Sequence, residues 1–421
     1  MLEQYFKGMF HEGKHNIERM NERVPGSRYH QLHHFISESP WAHEPVLRAV
    51  GKDLSQVLES RAEPVGLIID ESGHRKQGKK SVGVARQYLG SIGKVDNGQV
   101  GVFAALSQGD DVGMVNARLF LPKEWAEDGE RCKEAGIPEA HRQHKTKPEL
   151  ALEMVDELEG VASYEWIGGD GAYGHSGALR KGLSARGKMF LLDVHEDQAV
   201  YLAPPQPAQL PPPPGRGRKP VRYASRLDSI KVKELMKSLP DEQWKTYTYR
   251  RGTKGGLIRQ VVCLEVYIWA ASHAKSDEVE HLRLIISRNA DGSEVKYSLT
   301  NDLSRPGYTQ HSEFALLYRQ MQRYWVERGL QDCKDTIGMT DYQVRSWRAW
   351  HHHITLTIMA LHYMLEQKVL HENKIPLLSC PDIKFFFAMT LPSKATTPPQ
   401  VWNLIQVRHQ QRHRDLMRFQ I

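Results

Sequence analysis

Cysteine is scarce. The 421 residues hold four, at Cys132, Cys263, Cys333 and Cys380, and no two are spaced as a CxxC pair. That argues against a zinc knuckle or a disulfide framework and suits a reducing compartment. Long apolar runs are missing too, since none approaches the roughly 20 residues that span a bilayer. The opening stretch, MLEQYFKGMFHEGKH, lacks the apolar core of a secretory signal. The expectation is a cytoplasmic protein with no membrane partner. No internal repeat is apparent.

What remains is an ordinary soluble composition, 40% hydrophobic and 25% charged, in a chain long enough for more than one domain. The formal charge is +7 and the isoelectric point near 9.0. A basic surface favours a polyanionic partner, because phosphate binding releases counterions. Mild basicity is common, so charge by itself decides little.

Residues 1–60 read as polar and helical. Ser39-Pro40-Trp41 has the form of a helix start, with Ser39 as cap, Pro40 in the first turn, and Trp41, Val46, Leu47 and Val50 as an apolar stripe. Arg19, Arg23, Arg28, His30, His33 and His34 suit either a solvated face or a DNA-binding region. From residue 64 the pattern changes to strands, at 64–70, 81–88, 99–106 and 112–121, divided by turn residues. A helix is expected over 148–158, a short strand over 164–168, and another over 188–194. This order of strands and helices is that of the ribonuclease H-like fold, in which acids at neighbouring strand ends converge. The expected class is therefore α/β (mixed α+β).

The expected divisions are a helical N-terminal region (1–60), a first part of the core (61–200), and a proline-rich arm with a β-rich insertion (201–300). The second part of the core (301–370) and a basic helical tail (371–421) follow. The arm, APPQPAQLPPPPGRGRKP, holds too much proline for a sheet or helix. Its PGRGRKP is either a plain basic linker or a minor-groove hook through Arg216 and Arg218. Insertion strands are expected at 244–249, 257–269, 281–287 and 295–299, with helix from Ser312 onward. The tail helix carries Arg408, Arg412, Arg414 and Arg418 among Leu404, Ile405 and Leu416, a pattern that fits docking on the body or on DNA.

Three acids stand out. Asp70 closes the apolar run PVGLIID. Asp170 follows a second short apolar run and is flanked by Gly168, Gly169 and Gly171. Glu327 lies in RYWVERGLQDCK, a helical pattern. Phosphodiester cleavage requires charge stabilisation at both the attacking and leaving oxygens, which two divalent metals about 3.5–4 Å apart provide when carboxylates hold them. Hard ions such as Mg²⁺ take oxygen ligands. At about 100° per residue, Arg323, Glu327 and Lys334 fall within roughly 40° of one helix face. That stripe suits a metal-binding acid between phosphate-gripping bases, or an ordinary i,i+4 pair facing solvent. Likewise GGDGAYG reads either as an open approach for metal and phosphate or as a plain turn.

The block DESGHRKQGKKSVGVARQYLGSIGKVDNGQVGVFAAL resembles the DDE transposases of bacterial insertion sequences, in the branch with a β-rich insertion between the second Asp and the Glu. SESPW, GGDGAYG and YQVRSWRAWHHHITL resemble the same family. The resemblance implies that Asp70, Asp170 and Glu327 are the catalytic, metal-holding acids. It implies two Mg²⁺ ions, with Mn²⁺ able to substitute. Arg323 and Lys334 match the family's Tyr-Arg-Glu-Lys helix signature as DNA contacts, while Gln320 stands at the Tyr position with Tyr318 and Tyr324 off register. Trp244 and Trp269 are either core residues or platforms for a flipped base. The implied function is a DNA transposase, a metal-dependent endonuclease and strand transferase, acting on inverted-repeat ends and target DNA as a homodimer. Its expected location is the bacterial cytoplasm, associated with the nucleoid. The rival expectations are an inactive end-binding repressor and a ribonuclease H-like nuclease.

Overall fold

The computed structural model describes residues 1–59, 62–209, 223–252, 255–269 and 277–418. Arg216 and Arg218 lie outside the described residues. The chain opens with four helices, α1 (Leu2–Phe10), α2 (Ile17–Arg23), α3 (Tyr29–Ser37) and α4 (Glu44–Glu59). The Asn16 side chain caps α2 by accepting from the Arg19 N–H at 3.0 Å. Ser39-Pro40-Trp41 is not a helix start, which corrects the sequence expectation. The segment between α3 and α4 is held off the helix because Trp41 packs elsewhere: its ring stacks on His352 at 3.7 Å. Its indole N–H also donates to the Phe35 carbonyl. Leu47 and Val50 do form a buried stripe, continued by Leu54 and Leu58.

The central region follows as β1 (Gly66–Arg75), β2 (Ala85–Leu89), β3 (Lys94–Gln108) and β4 (Asp111–Leu119). Two short helices, α5 (Lys123–Ala126) and α6 (Gly129–Glu134), lead to α7 (Lys147–Leu158), β5 (Trp166–Gly169), α8 (Gly171–Gly174), α9 (Gly177–Ala185) and β6 (Phe190–Asp193). The start of α7 is a capping box between Thr146 and Glu149. Beyond β6 come short strands β7 (Ala199–Val200), β8 (Ala208–Gln209), β9 (Tyr223–Ala224) and β10 (Ile230–Lys231), then α10 (Val232–Ser238). Four longer strands follow, β11 (Lys245–Gly252), β12 (Gly255–Ile268), β13 (Glu280–Asn289) and β14 (Val295–Thr300). The chain ends in α11 (Glu313–Asp332), α12 (Trp347–His371), α13 (Cys380–Thr390) and α14 (Pro398–Arg418).

One mixed sheet organises these elements. Its order is β11-β12-β13-β14-β6-β5-β1-β3, with β2 and β4 pairing successive stretches of β3. The neighbours β1, β5 and β6 run parallel, and β3 is antiparallel to β1. The insertion strands continue this same sheet, because β14 pairs antiparallel with β6 (Ser298 opposite Asp193). Alternation along β1 divides the core: Ile68 packs with residues of α11 and α12, while Leu67 and Ile69 pack with α7 and α9.

α12 is buried almost around its circumference. Its histidines tie the N-terminal helices to it: His353 Nδ1 meets the Tyr5 hydroxyl at 2.8 Å, and His352 bridges the Ile36 and Trp41 carbonyls. The basic helix α14 touches the body where Arg408 Nε donates to Glu22 of α2 at 3.1 Å. Among the described residues, no helix is long and apolar enough to cross a membrane.

Candidate active site

The register of three parallel strands builds one wall of the site. Ile69 of β1 is level with Gly169 of β5, and Gly169 is level with Leu192 of β6. The next residues are Asp70, Asp170 and Asp193, so three aspartates stand side by side on adjacent strands spaced about 4.8 Å apart. Residue parity aims all three at the face that carries Ile68, Trp166 and Leu191, the face covered by α11. β1 does not end at Asp70, as the apolar run implied. Its pairing with β5 stops at Ile69, while its pairing with β3 runs on to Arg75. Asp70 thus sits at the rim of the parallel half and within the antiparallel half. It is 7% exposed, and its Oδ1 accepts from the Glu71 N–H at 2.7 Å. Asp170 caps α8, accepting from the Ala172 N–H at 2.9 Å.

The facing wall is α11, capped by Ser312. Arg323 reaches across from it. Its Nε donates to Asp193 Oδ2 at 3.0 Å, and its Nη1 pairs with Glu327 Oε1 at 2.5 Å. Burial works against the Arg323 charge, but Asp193, Glu327, Asp70 and Asp170 outweigh it and hold the guanidinium protonated above its ordinary range. Burial, followed by the Asp170 and Glu327 carboxylates, pushes Asp70 up to about 7 against the pull of Arg323. Burial also raises Asp193, opposed by Arg323 and Ser298. Lys334 stands in the wide turn Cys333–Ile337 that follows α11; burial lowers it, and Asp70 counteracts that. Asp70, Asp170, Glu327, Arg323 and Lys334 therefore share one electrostatic site, although they come from three separate stretches of chain.

The glycines around Asp170 serve packing. A Cβ on Gly174 would stand 1.8 Å from the Asp193 carbonyl oxygen, and one on Gly168 would meet Ile68 and Trp166 at 2.7 Å. They let α8 close over the ends of β5 and β6, which is a physical reason beyond an open approach for metal or a plain turn.

Gln320 does not face solvent. It is 1% exposed, accepts from the Ser287 hydroxyl at 2.5 Å and donates to Ser298 Oγ at 2.7 Å. Tyr318 points elsewhere, accepting from the Gly109 N–H, while Tyr324 is exposed beside Arg250. Trp244 and Trp269 are buried, Trp244 beneath the Arg288 guanidinium and Trp269 against Tyr201, so both pack as core residues. Sequence reasoning passes over Asp193, although FLLD carries the same signal as GLIID: an apolar run that ends in an acid.

The donor set fits a hard divalent cation. Four carboxylates face two cationic side chains; burial is the main cause of the raised Asp70, and the Asp170 and Glu327 charges, which a cation would offset, add to it. Among the described residues, no three carboxylate, histidine or cysteine side chains are grouped closely enough to hold one ion. Glu327 is paired with Arg323 instead.

A family model described as DDE superfamily endonuclease matches residues 2–256. The matched range includes Asp70 and Asp170 and stops short of Glu327. A probable transposase for insertion sequence element IS701 from Microchaete diplosiphon is 35% identical over 150 residues, which is 35% of this chain and 35% of that protein. The similarity thus spans about a third of that relative. Among solved structures, a synaptic complex of piggyBac transposase with hairpin DNA aligns with 77% of this chain and 52% of that chain. Its identity is 12% and its TM-score 0.37, too distant to carry an argument.

Proposed function

Because the chain belongs to the DDE superfamily endonucleases, we propose that it is the transposase of an insertion sequence, cutting its inverted-repeat ends and joining the 3′-hydroxyls to target DNA. The observation that carries this reading is the placement of Asp70 and Asp170 side by side, each just past the last residue paired between the parallel strands β1 and β5, opposite the helix that bears Glu327. The sheet order β4-β3-β1-β5-β6, with β1, β5 and β6 parallel, supports a ribonuclease H-like core. The similarity to the probable IS701 transposase supports the transposase reading over a nuclease of another kind.

In this reading Asp70, Asp170 and Glu327 hold two Mg²⁺, for which Mn²⁺ substitutes. Bound there, the ions would supply charge stabilisation to the reacting phosphodiester and would acidify an attacking water. The remaining work falls to the chain's own residues. Asp70 is held by the β3 ladder one residue past the last β1–β5 pair, so its backbone is fixed where it presents its oxygens. Arg323 and Lys334 bind and orient the scissile phosphate from the helix side, with Arg323 leaving its pair with Glu327 as it does so. The N-terminal helices and the arm carrying Arg216 and Arg218 contact double-stranded DNA outside the reacting phosphate. Two copies bridge the two ends.

The test is Asp70→Asn, which keeps the shape of the side chain and removes its charge. Purified variant protein is expected to retain gel-shift binding to DNA carrying its element's ends and to lose cleavage in Mg²⁺ by at least about a thousandfold, the scale of losing a central catalytic group. Cleavage at the wild-type rate contradicts the assignment of Asp70.

A further inference from the structure

Asp193 stands outside the acid trio, yet it ends the third of the three parallel strands, in the same row and on the same face. Both of its carboxylate oxygens are engaged. Oδ1 accepts from the Ser298 hydroxyl at 2.6 Å, and Oδ2 accepts from Arg323 Nε at 3.0 Å. The Ser298 hydroxyl oxygen in turn accepts from Gln320 Nε2 at 2.7 Å, and Gln320 lies on α11 one turn before Arg323. The result is a closed circuit: α11 through Gln320 to Ser298 of β14, to Asp193 of β6, and back to α11 through Arg323. Ser287 of β13 and Arg259 of β12 extend it into the insertion, with Ser287 donating to Gln320 at 2.5 Å and Arg259 Nε donating to Ser287 at 3.2 Å. Two successive turns of α11 are thereby fixed to the sheet where β14 meets β6, and Glu327 is the next turn along.

We propose that Asp193 is a positioning residue for the divalent-cation site: it takes the Nε edge of the Arg323 guanidinium on the β6 side, so that Arg323 pairs with a single acid of the ion set, Glu327, and is not free to turn onto Asp70 and Asp170 as well. This rests on the reading of Asp70, Asp170 and Glu327 as the ion-holding set. The physical case is one of competition. Arg323 keeps its charge in any folded state, and its own surroundings offer four carboxylates. With Asp193 present, one carboxylate outside the ion set takes the Nε side of the fork in a fixed geometry. Without that charge the guanidinium has only Glu327, Asp70 and Asp170 to turn to, and a divalent cation must displace it. The circuit through Gln320 and Ser298 couples this arrangement to the insertion strands, so the site is set partly from outside the core that supplies its acids.

The test is titration of full-length protein with Mn²⁺, followed by the electron paramagnetic resonance signal of the free ion, in the absence of DNA. Four proteins are compared with wild type. Asp70→Asn is expected to lose the site. Asp193→Asn is expected to weaken Mn²⁺ binding about tenfold, the scale of losing an outer partner of a metal ligand. Arg323→Gln is expected to bind at least as tightly as wild type, and Asp193→Asn combined with Arg323→Gln to match Arg323→Gln alone. That suppression is the diagnostic result, because loss of a merely structural contact would not be repaired by removing Arg323. If Asp193→Asn does not fold, Ser298→Ala reads the same coupling: weaker Mn²⁺ binding in the wild-type background and no effect in Arg323→Gln. Wild-type affinity in both Asp193→Asn and Ser298→Ala overturns the proposal while leaving the ion site intact. So does a double variant as weak as Asp193→Asn alone. A wild-type protein that binds Mn²⁺ no better than Asp70→Asn overturns the ion-site reading and this proposal with it.

Discussion

At the scale of single residues, legibility followed from whether a side chain had a local pattern to announce it. Asp70 and Asp170 end apolar runs, and the strand register puts them side by side. Helical spacing relates Arg323 and Glu327 on α11, whereas Lys334 lies past the end of that helix, in the turn Cys333–Ile337, and acts on Asp70 from there. Asp193 carried the same signal as Asp70 but sat inside a strand that reads as core. Gln320 is the reverse case. It stands where the family signature has a Tyr, which leaves that DNA contact in doubt; the insertion strands cover it, and no local pattern reveals that they will lie above. Gln320→Ala is accordingly expected to cost about 1–3 kcal/mol of stability, since it leaves the Ser287 and Ser298 hydroxyls short of a partner in a buried setting. The slope of DNA binding against salt concentration should stay at the wild-type value, whereas loss of a phosphate contact reduces it by about one. Denaturant unfolding together with salt-dependent gel shifts decides between the two roles.

At the scale of elements, the strands and the main helices were legible because alternation and helical periodicity are local. The mismatches arose where tertiary contacts overrode a local preference. Ser39-Pro40-Trp41 has good capping chemistry, yet Trp41 gains more by stacking on His352 than by entering a helix. β1 continues past Asp70 because β3 offers it a partner for ten residues. Helix α12 shows how such contacts create pH dependence. His353 is fully buried, and burial lowers it to about 4 from an ordinary 6.5. The unfolded chain therefore takes up a proton near pH 6.5 that the folded chain refuses until about pH 4, so this histidine's contribution to stability falls as pH falls through that window. The loss is on the order of 3 kcal/mol. Asp70 and Asp193, both raised, act in the opposite sense. The histidine is isolated by comparison with His353→Gln: the wild type should lose stability relative to the variant between pH 6.5 and 4. Parallel pH profiles for the two proteins would contradict this.

At the scale of the whole molecule, the sheet is the organising object. Sequence order separates Asp70, Asp170 and Glu327 by long intervals, and only the pairing of β1 with β5 and the crossing of α11 bring them together. That the insertion strands extend the same sheet through β14 and β6 was not readable, because strand pairing between distant segments leaves no periodic trace. Its consequence reaches the acid row. The edge of the insertion fixes Ser298 and, through it, Asp193 and Arg323. An insertion that assembles on DNA ends would thus lie one hydrogen-bonded chain away from the reacting centre.

The most direct test at this scale is a strand-transfer assay. Purified protein is incubated with labelled DNA carrying the ends of its element and an unlabelled target, in Mg²⁺ and in EDTA. The transposase reading requires nicking at the ends followed by covalent joining of the labelled strand to the target in Mg²⁺, and neither product in EDTA. Salt-sensitive binding to the ends with no cut in Mg²⁺ or Mn²⁺ would contradict it and leave an end-binding protein without catalysis.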